Sequence, residues 1–177
     1  MPQTSLMLDA CIAINLAATG RSRDLEQVLE LEFFMAVQAA RESGSIGLAG
    51  ERLVVRRDAD EGGQTLVAGV LSLQDSELAM YVKLAADIDD GEAATTAIAH
   101  ARSVAIATDD RKACRVITGL GLPTPRSTPS LLHDFELIAG LSPVEVGEIL
   151  RRVRDKARYV PRRVDALFNW WEDRIQR

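Results

Sequence analysis

The segment that decides the fold runs Asp87-Ile-Asp-Asp-Gly-Glu-Ala-Ala-Thr-Thr-Ala-Ile-Ala-His100, and shortly after it comes Val104-Ala-Ile-Ala-Thr-Asp-Asp-Arg111. A helix that begins among acidic residues is thus followed by a short apolar strand that ends in two more acids. In an open α/β sheet, ligand sites lie at the carboxyl ends of the strands. Carboxylates gathered at such an edge repel one another unless a cation lies among them. The segment therefore predicts a divalent-metal site.

An apolar run near the start of the chain, residues 5–14, reads Ser-Leu-Met-Leu-Asp-Ala-Cys-Ile-Ala-Ile and carries Asp9 as its only charge. Such a run is typical of a strand that is buried on both faces in a parallel sheet. A carboxylate inside it is costly unless it is paired or bound to a metal. Asp9 is therefore a candidate ligand, although it is also suited to cap a helix over residues 10–16.

Short strands and helices alternate along the rest of the chain. Further buried strands are predicted at residues 32–36 and 104–107, and the runs 52–57 and 64–68 flank a Gly-Gly turn that suggests a hairpin or two edge segments. We expect an α/β fold with three α/β/α layers and a central, mainly parallel sheet of four to five strands. Residues 1–140 are expected to form this domain. Residues 141–177 are expected to pack on it as a helical extension that ends in an amphipathic helix over 164–171.

Charge and cysteine content limit the classes of partner and compartment. Lys and Arg number 21 against 26 Asp and Glu, a net charge of −5, so the bulk charge does not indicate a polyanion partner. The two cysteines, Cys11 and Cys114, have no paired spacing, which fits a reducing cytoplasm. The N-terminus lacks the pattern of a signal peptide, and no apolar stretch approaches the ~20 residues of a membrane span. We expect a cytoplasmic protein with no membrane association.

The densest positive charge lies between Arg151 and Arg163, a run that also contains Tyr159. Basic residues with an aromatic side chain available for stacking are typical of a surface that binds single-stranded nucleic acid. The same run is equally compatible with a solvated helix face or with an interface to an acidic partner.

Three motifs together resemble a PIN domain: Leu8-Asp-Ala-Cys-Ile-Ala-Ile-Asn-Leu16, Asp89-Asp-Gly-Glu-Ala93 and Thr108-Asp-Asp-Arg111. The resemblance in order and spacing covers residues 5–140, and the chain after Gly140 extends beyond the minimal domain. It implies a metal-dependent ribonuclease similar to the VapC-like toxins of type II toxin–antitoxin pairs. Such a protein would bind RNA as its substrate and an antitoxin protein as its partner.

The resemblance also implies roles for particular acids. Asp9 matches the first metal ligand of the family, and Glu92 matches the acid of its GEA-type motif. Asp110 matches the acid after the threonine, with Asp109 as an alternative or supporting ligand. Glu42 falls where the family often has an acid on an early helix, although by composition alone it faces solvent.

A cluster of carboxylates without histidine or cysteine favours Mg²⁺ or Mn²⁺, which prefer oxygen ligands. His100 and His133 are interpreted as structural or surface residues. A bound cation would activate a water for in-line attack on a phosphodiester, and Glu42 or Asp109 could orient that water.

Neutral and basic residues near these acids are candidates for substrate binding. Asn15, Thr108 and Ser127 could hydrogen-bond a ligand or a phosphate oxygen, and a role as turn and cap residues is equally compatible with the sequence. Arg111 directly follows the acidic pair and is a candidate for contacting the RNA backbone.

Two other functional classes stay open at this stage. One is a metal-dependent phosphohydrolase that acts on a small substrate, although no glycine-rich phosphate loop follows the first strand. The other is a non-catalytic PIN-like binding module. A homodimer is also plausible, with the apolar stretches 25–37 and 78–84 as candidate surfaces.

Overall fold

The computed structural model describes residues 4–43 and 67–177, which leaves the run 52–57 and most of the run 64–68 outside the described residues. Four parallel strands form one sheet in the order β3-β2-β1-β4. They are β1 (Thr4–Leu8), β2 (Leu31–Ala36), β3 (Gly69–Leu71) and β4 (Ala105–Ala107). The predicted α/β class with a parallel central sheet is confirmed.

Helices alternate with these strands and cover the sheet. In chain order the described residues form α1 (Ala10–Ala18), α2 (Ser22–Val28), α3 (Val37–Glu42), α4 (Asp75–Leu84), α5 (Asp90–Arg102), α6 (Arg111–Gly119), α7 (Thr128–Ala139), α8 (Pro143–Ala157) and α9 (Phe168–Ile175).

The central strand β1 sets the position of the site. Leu6, Met7 and Leu8 are at most 1 % exposed, as expected for a parallel strand with helices on both faces. The chain moves from β1 outward to β2 and β3, and then crosses to the other side of β1 to form β4. This reversal creates a crevice between the carboxyl ends of β1 and β4, which is where open α/β sheets bind ligands.

The apolar run 5–14 does not form one strand as predicted. Strand β1 ends at Leu8, and helix α1 begins at Ala10 because the Asp9 carboxylate accepts a hydrogen bond from the backbone N–H of Ala10 (2.7 Å). An apolar run that is buried all round has no periodicity to separate strand from helix. Asp9, which caps α1, separates the strand from the helix.

The last helix also differs from its prediction, since α9 covers 168–175 rather than 164–171. Residues 162–168 instead form a turn in which Asp165 N–H donates to the Arg162 carbonyl (2.9 Å) and Phe168 N–H donates to the Asp165 carbonyl (3.1 Å). The Asp165 side chain accepts from Leu167 N–H as well (2.8 Å), which favours a local turn over a helix.

The C-terminal helices belong to the main hydrophobic core. Val146, Ile149, Leu150 and Val153 of α8 are buried together with the strands, and Trp171 of α9 is fully buried in the same cluster. Burying side chains of this size stabilises a fold by about 2 kcal/mol each, before entropy is counted. Helices α8 and α9 therefore complete the core.

The two apolar stretches considered for self-association differ in exposure. Leu25, Leu31 and Phe33 are buried in the core, so the stretch 25–37 offers little apolar surface. Leu78 and Val82 of α4 are exposed. Within the described ranges, every helix is too short or too polar to cross a bilayer.

Candidate functional site: an acidic pocket at the sheet edge

A pocket of about 710 Å³ opens at the carboxyl ends of β1 and β4. It is bordered by residues that follow these strands, by the first turn of α5, by the end of α3 and by the loop between α8 and α9. We call it the acidic pocket, because its walls include seven carboxylates: Asp9, Glu42, Asp89, Glu92, Asp109, Asp110 and Asp165. All five acids proposed from the sequence border this one space.

Asp9 is held at the floor of the acidic pocket and is 5 % exposed. While Oδ1 caps α1, Oδ2 accepts hydrogen bonds from the Thr108 hydroxyl and the Cys11 thiol, both at 3.1 Å. Thr108 in turn accepts from the backbone N–H of Asp110 (3.1 Å). Thr108, a candidate for substrate binding, is 2 % exposed and instead ties the end of β4 to Asp9.

Glu92 and Asp110 lie at the starts of two helices. The Glu92 carboxylate reaches back to the backbone N–H of Asp89 (3.4 Å) and so completes a capping box on α5. Asp110 Oδ1 caps α6 by accepting from the N–H groups of Lys112 (2.6 Å) and Ala113 (2.9 Å). The other oxygen of each side chain accepts no hydrogen bond from the described residues.

Glu42 enters the acidic pocket from α3, and Gly91 explains its position. Its Oε1 accepts a hydrogen bond from the backbone N–H of Gly91 (2.7 Å) at the start of α5. A Cβ at Gly91 would lie 2.1 Å from Glu42 Oε2 and 2.9 Å from the Ala39 Cα. The glycine of the Asp89–Ala93 motif is therefore required for close packing of α3 on α5, and this packing brings Glu42 to the site.

Asp109 differs from the other acids because both of its oxygens are occupied. Oδ1 accepts from Thr128 N–H (2.9 Å), and Oδ2 accepts from the Thr128 hydroxyl (2.7 Å) and the Asn15 amide (3.1 Å). The Tyr159 hydroxyl also interacts with this carboxylate. These bonds join α1, α7 and the C-terminal loop at one point, so Asp109 is suited to a structural role beside Asp110.

The neutral residues proposed for substrate binding are mostly used within the protein. Asn15 is 3 % exposed and donates to Thr128 (3.0 Å) as well as to Asp109, so it lies beneath the acidic pocket. Ser127 borders the pocket and caps α7 through its hydroxyl. Arg111 is exposed at the pocket wall, and it has no ion partner among residues 4–43 and 67–177.

Within residues 4–43 and 67–177, the carboxylates of the acidic pocket have no basic partners. Arg111 and Arg162 are the two guanidinium groups in its walls, and no ion pair joins either of them to one of the seven acids in the described part of the chain. Burial and the neighbouring charges of Asp9 and Asp110 raise the pKa of Glu92 to about 7. Burial, with Asp9, Asp89 and Asp90 nearby, also raises the pKa of Glu42. The acidic pocket therefore favours a cation.

Carboxylate oxygens of the acidic pocket fit a hard divalent cation, but its side chains surround the space and do not form a finished cage. The expected absence of cysteine was wrong, because Cys11 and Cys114 also line the pocket. Burial raises the pKa of both thiols, which keeps them protonated and makes them poor metal ligands. No group of three His, Cys, Asp or Glu side chains in the described residues is arranged to hold a metal ion. Mg²⁺ is commonly bound through one or two carboxylates and several waters, which does not require such a cage. The free oxygens of Glu92, Asp110 and Glu42 suit that mode.

Two buried hydroxyls lie beside this cluster. Thr95 and Thr96 of α5 are each 1 % exposed, and their hydroxyls have no hydrogen-bond partner in the described structure. They border a small space that is also lined by Asp9, Glu92 and Thr108. Buried polar atoms without a partner are uncommon. The space beside them has no room for a water molecule, so the two hydroxyls stay unpaired next to the carboxylates in the described structure.

The C-terminal loop, residues 158–167, contributes a wall that the sequence interpretation did not assign to the site. Tyr159, Val160, Arg162, Val164 and Asp165 all line the acidic pocket. Tyr159 is engaged within the protein, because its ring contacts Trp171 edge-on (5.7 Å between centroids) and its hydroxyl interacts with Asp109. The sequence shows the basic run 151–163 and Asp89, but neither feature indicates that the C-terminal loop folds back to the end of β4.

Comparisons of the chain with protein-family models, with curated proteins and with solved structures found no match in any of the three.

Proposed function

We propose that the protein is a divalent-metal-dependent endoribonuclease that hydrolyses phosphodiester bonds in RNA. The observation that carries this proposal is the acidic pocket itself, in which Asp9, Glu92 and Asp110 meet at the switch point of the sheet without basic partners among the described residues. The resemblance of the three sequence motifs to PIN domains supports the same chemistry. Mg²⁺ or Mn²⁺, when bound, would supply Lewis-acid activation of water and neutralise charge on the phosphate.

The residues of the acidic pocket would divide the work as follows. Asp9, Glu92 and Asp110 would hold the cation through carboxylate oxygens or bridging waters. Glu42 is better placed than Asp109 to orient the attacking water, since one Glu42 oxygen accepts no hydrogen bond from the described residues and both Asp109 oxygens are engaged. Asp109, with Asn15 and Thr128, would hold the end of β4 in place.

A role as the toxin of a type II toxin–antitoxin pair in the cytoplasm extends the proposal and depends on the PIN-domain resemblance. An antitoxin segment that carries arginine would fit the unpaired carboxylates, because guanidinium and carboxylate form strong paired hydrogen bonds. A small protein encoded beside this chain should then bind it and block RNA hydrolysis. Binding that leaves hydrolysis unchanged would contradict the toxin role.

Hydrolysis of a mixed RNA pool by the purified protein tests the enzymatic proposal. Cleavage should require Mg²⁺ or Mn²⁺, stop in EDTA, and fall by at least about 100-fold in Asp9→Asn. Asparagine caps helices as well as aspartate does, so this variant should keep α1 and the fold. Asp87→Asn is the matched control, because it makes the same change in an exposed acid that does not line the acidic pocket.

The same assay separates the other functional classes. Cleavage that survives both EDTA and Asp9→Asn would show that the acidic pocket is not the catalytic site. Release of phosphate from a small ester, with RNA left intact, would instead favour a phosphohydrolase. Complete inactivity toward RNA with any divalent cation would favour a binding module.

A further inference from the structure

The loop that follows α8 is fixed against the site at several points. Arg158 ends α8 with a positive φ of 56°, which turns the chain back toward the sheet edge. Tyr159 is then held between Asp109 and Trp171, and Pro161 is buried. The turn that begins at Arg162 closes through its hydrogen bond from Asp165 N–H. These contacts give the loop a defined position along one wall of the acidic pocket.

The side chains that this loop exposes alternate in character. Val160 and Val164 are 48 % and 81 % exposed, and both border the acidic pocket. Arg162 lies between them, is exposed, and has no ion pair or side-chain hydrogen bond with the residues the structure describes. Arg162 therefore lies beside the seven carboxylates of the acidic pocket and forms no ion pair with any of them in the described residues.

Three of the six other basic residues of the run 151–163 have partners of their own. Arg151 donates to the Ile175 carbonyl (2.9 Å), Arg152 donates to the Thr19 carbonyl (3.3 Å), and Arg154 pairs with the neighbouring Asp155 (2.7 Å). The run is therefore not one continuous basic surface. Arg162 is its member that lines the acidic pocket, and Arg163 beside it is exposed but does not.

We propose that the C-terminal loop binds a single strand of RNA at the mouth of the acidic pocket, with Arg162 contacting a backbone phosphate and Val160 and Val164 contacting an unstacked base or ribose. A cation flanked by exposed apolar side chains matches the chemistry of a nucleotide, which presents a phosphate and an apolar base face in alternation. Arg111, which lines the acidic pocket at the start of α6, would contact a second phosphate. This inference rests on the proposed ribonuclease function and assigns part of its substrate binding to the C-terminal loop.

Binding and cleavage by the full chain test this assignment. A fluorescent single-stranded RNA of about 12 nucleotides, titrated in EDTA so that it is not hydrolysed, reports affinity by anisotropy at several salt concentrations. Arg162→Ala should weaken binding about fivefold and make the logarithmic dependence on salt less steep by about one unit. In Mg²⁺ the same variant should raise KM while leaving kcat nearly unchanged, because a phosphate contact away from the reacting bond acts equally in ground and transition states.

Arg163→Ala is the matched control and should behave as the wild-type protein does, since it removes the same charge one residue away from the wall. A thermal melt checks that both variants fold. Equal losses in both variants would overturn the proposal in favour of a diffuse charge effect, and no loss in either would overturn it as well. Faster cleavage by Arg162→Ala would show that this arginine restrains the site, which also overturns the proposal.

These outcomes are distinguishable from failure of the proposed function. If the wild-type protein neither binds nor cleaves RNA, the proposed function and this inference both fail. If the wild-type protein cleaves RNA in a metal-dependent manner and Arg162→Ala binds as tightly as wild type, only the assignment to the C-terminal loop fails.

Discussion

Carboxylates at the two ends of helix α5 have opposite electrostatic environments. At the C-terminal end, Glu77 of α4 is 1 % exposed and accepts two hydrogen bonds from the Arg102 guanidinium, at 2.7 Å and 3.0 Å. This arginine lowers the pKa of Glu77. At the N-terminal end, Glu92 lies among other acids, and its pKa is raised to about 7.

The contrast matters because buried acids outside the acidic pocket form ion pairs with arginine. Glu136, which is 6 % exposed, accepts from Arg174 (2.7 Å) and from the Trp170 indole N–H (2.5 Å). Glu77 and Glu136 thus each have an arginine partner. In the described part of the chain the acids of the acidic pocket have none, so their mutual repulsion is a cost to stability that a bound cation would remove.

Removing the ion pair between Glu77 and Arg102 should have the largest effect on stability. Glu77→Gln leaves the Arg102 guanidinium without its buried counter-charge and should lower the free energy of unfolding by about 3 kcal/mol. Urea denaturation measures the change. Asp155→Asn, which removes an exposed partner of Arg154, is the control and should leave the urea midpoint unchanged. A Glu77→Gln midpoint equal to that of wild type would remove the contrast between the two ends.

Disturbing the packing of α3 on α5 should have a smaller effect. Gly91→Ala forces a methyl group against Glu42 and the Ala39 backbone, and should lower the free energy of unfolding by about 2 kcal/mol. It should also lower RNA hydrolysis, because Glu42 must move. Gly119→Ala is the matched helical control, since its added Cβ would meet nothing within 4 Å. If both variants unfold at the same urea concentration, Gly91 is not needed for close packing.

Neutralising Glu92 at the N-terminal end of α5 should have the smallest effect on stability. In contrast to the two other variants, it should stabilise the protein. The folded-state pKa of Glu92, about 7, lies above its ordinary value of 4.5, so the folded protein binds more protons than the unfolded chain between these pH values. Stability without metal should therefore fall as pH rises from 4.5 to 7. In EDTA at pH 8, Glu92→Gln should raise Tm by about 2 °C, because it removes a charge that repels Asp9 and Asp110.

The pH profile supplies the check on this last variant. The Tm difference between Glu92→Gln and wild type should shrink below pH 7 and vanish well below pH 4.5, where Glu92 is protonated in both states. A variant that is less stable than wild type at pH 8 would mean that the ionised Glu92 stabilises the fold. The carboxylates of the acidic pocket would then not be in mutual repulsion.

The sequence was sufficient to predict a parallel sheet and the gathering of the acids at its edge, but strand β3 at Gly69–Leu71 was not predicted. Parallel strands end at a common edge, so residues directly after β1 and β4 are close whatever the loops do, and this holds for Asp9 and Asp110. Strand boundaries were less accessible. The run 5–14 is apolar throughout, and its division at Asp9 depends on a cap that competes with an equally apolar strand continuation.

The roles of the two adjacent acids, Asp109 and Asp110, could not be separated by sequence. Both follow β4, and only the contacts of Asn15, Thr128 and Tyr159 show that Asp109 is fully engaged. These partners lie far apart along the chain. For the same reason, the basic run 151–163 gave no indication that Arg162 alone among its arginines lines the acidic pocket, because this depends on the turn after Arg158 and on the burial of Trp171.

The attachment of Tyr159 to Asp109 has a consequence for protein synthesis. Asp9 is made first and Asp110 midway, whereas the tyrosine that fixes Asp109 and the tryptophan that supports it leave the ribosome only after them. A nascent chain that has reached α7 therefore carries six of the seven carboxylates but lacks one wall of their cavity. Folding of the last helix onto the sheet edge would then be the step that completes the cavity on a newly made molecule.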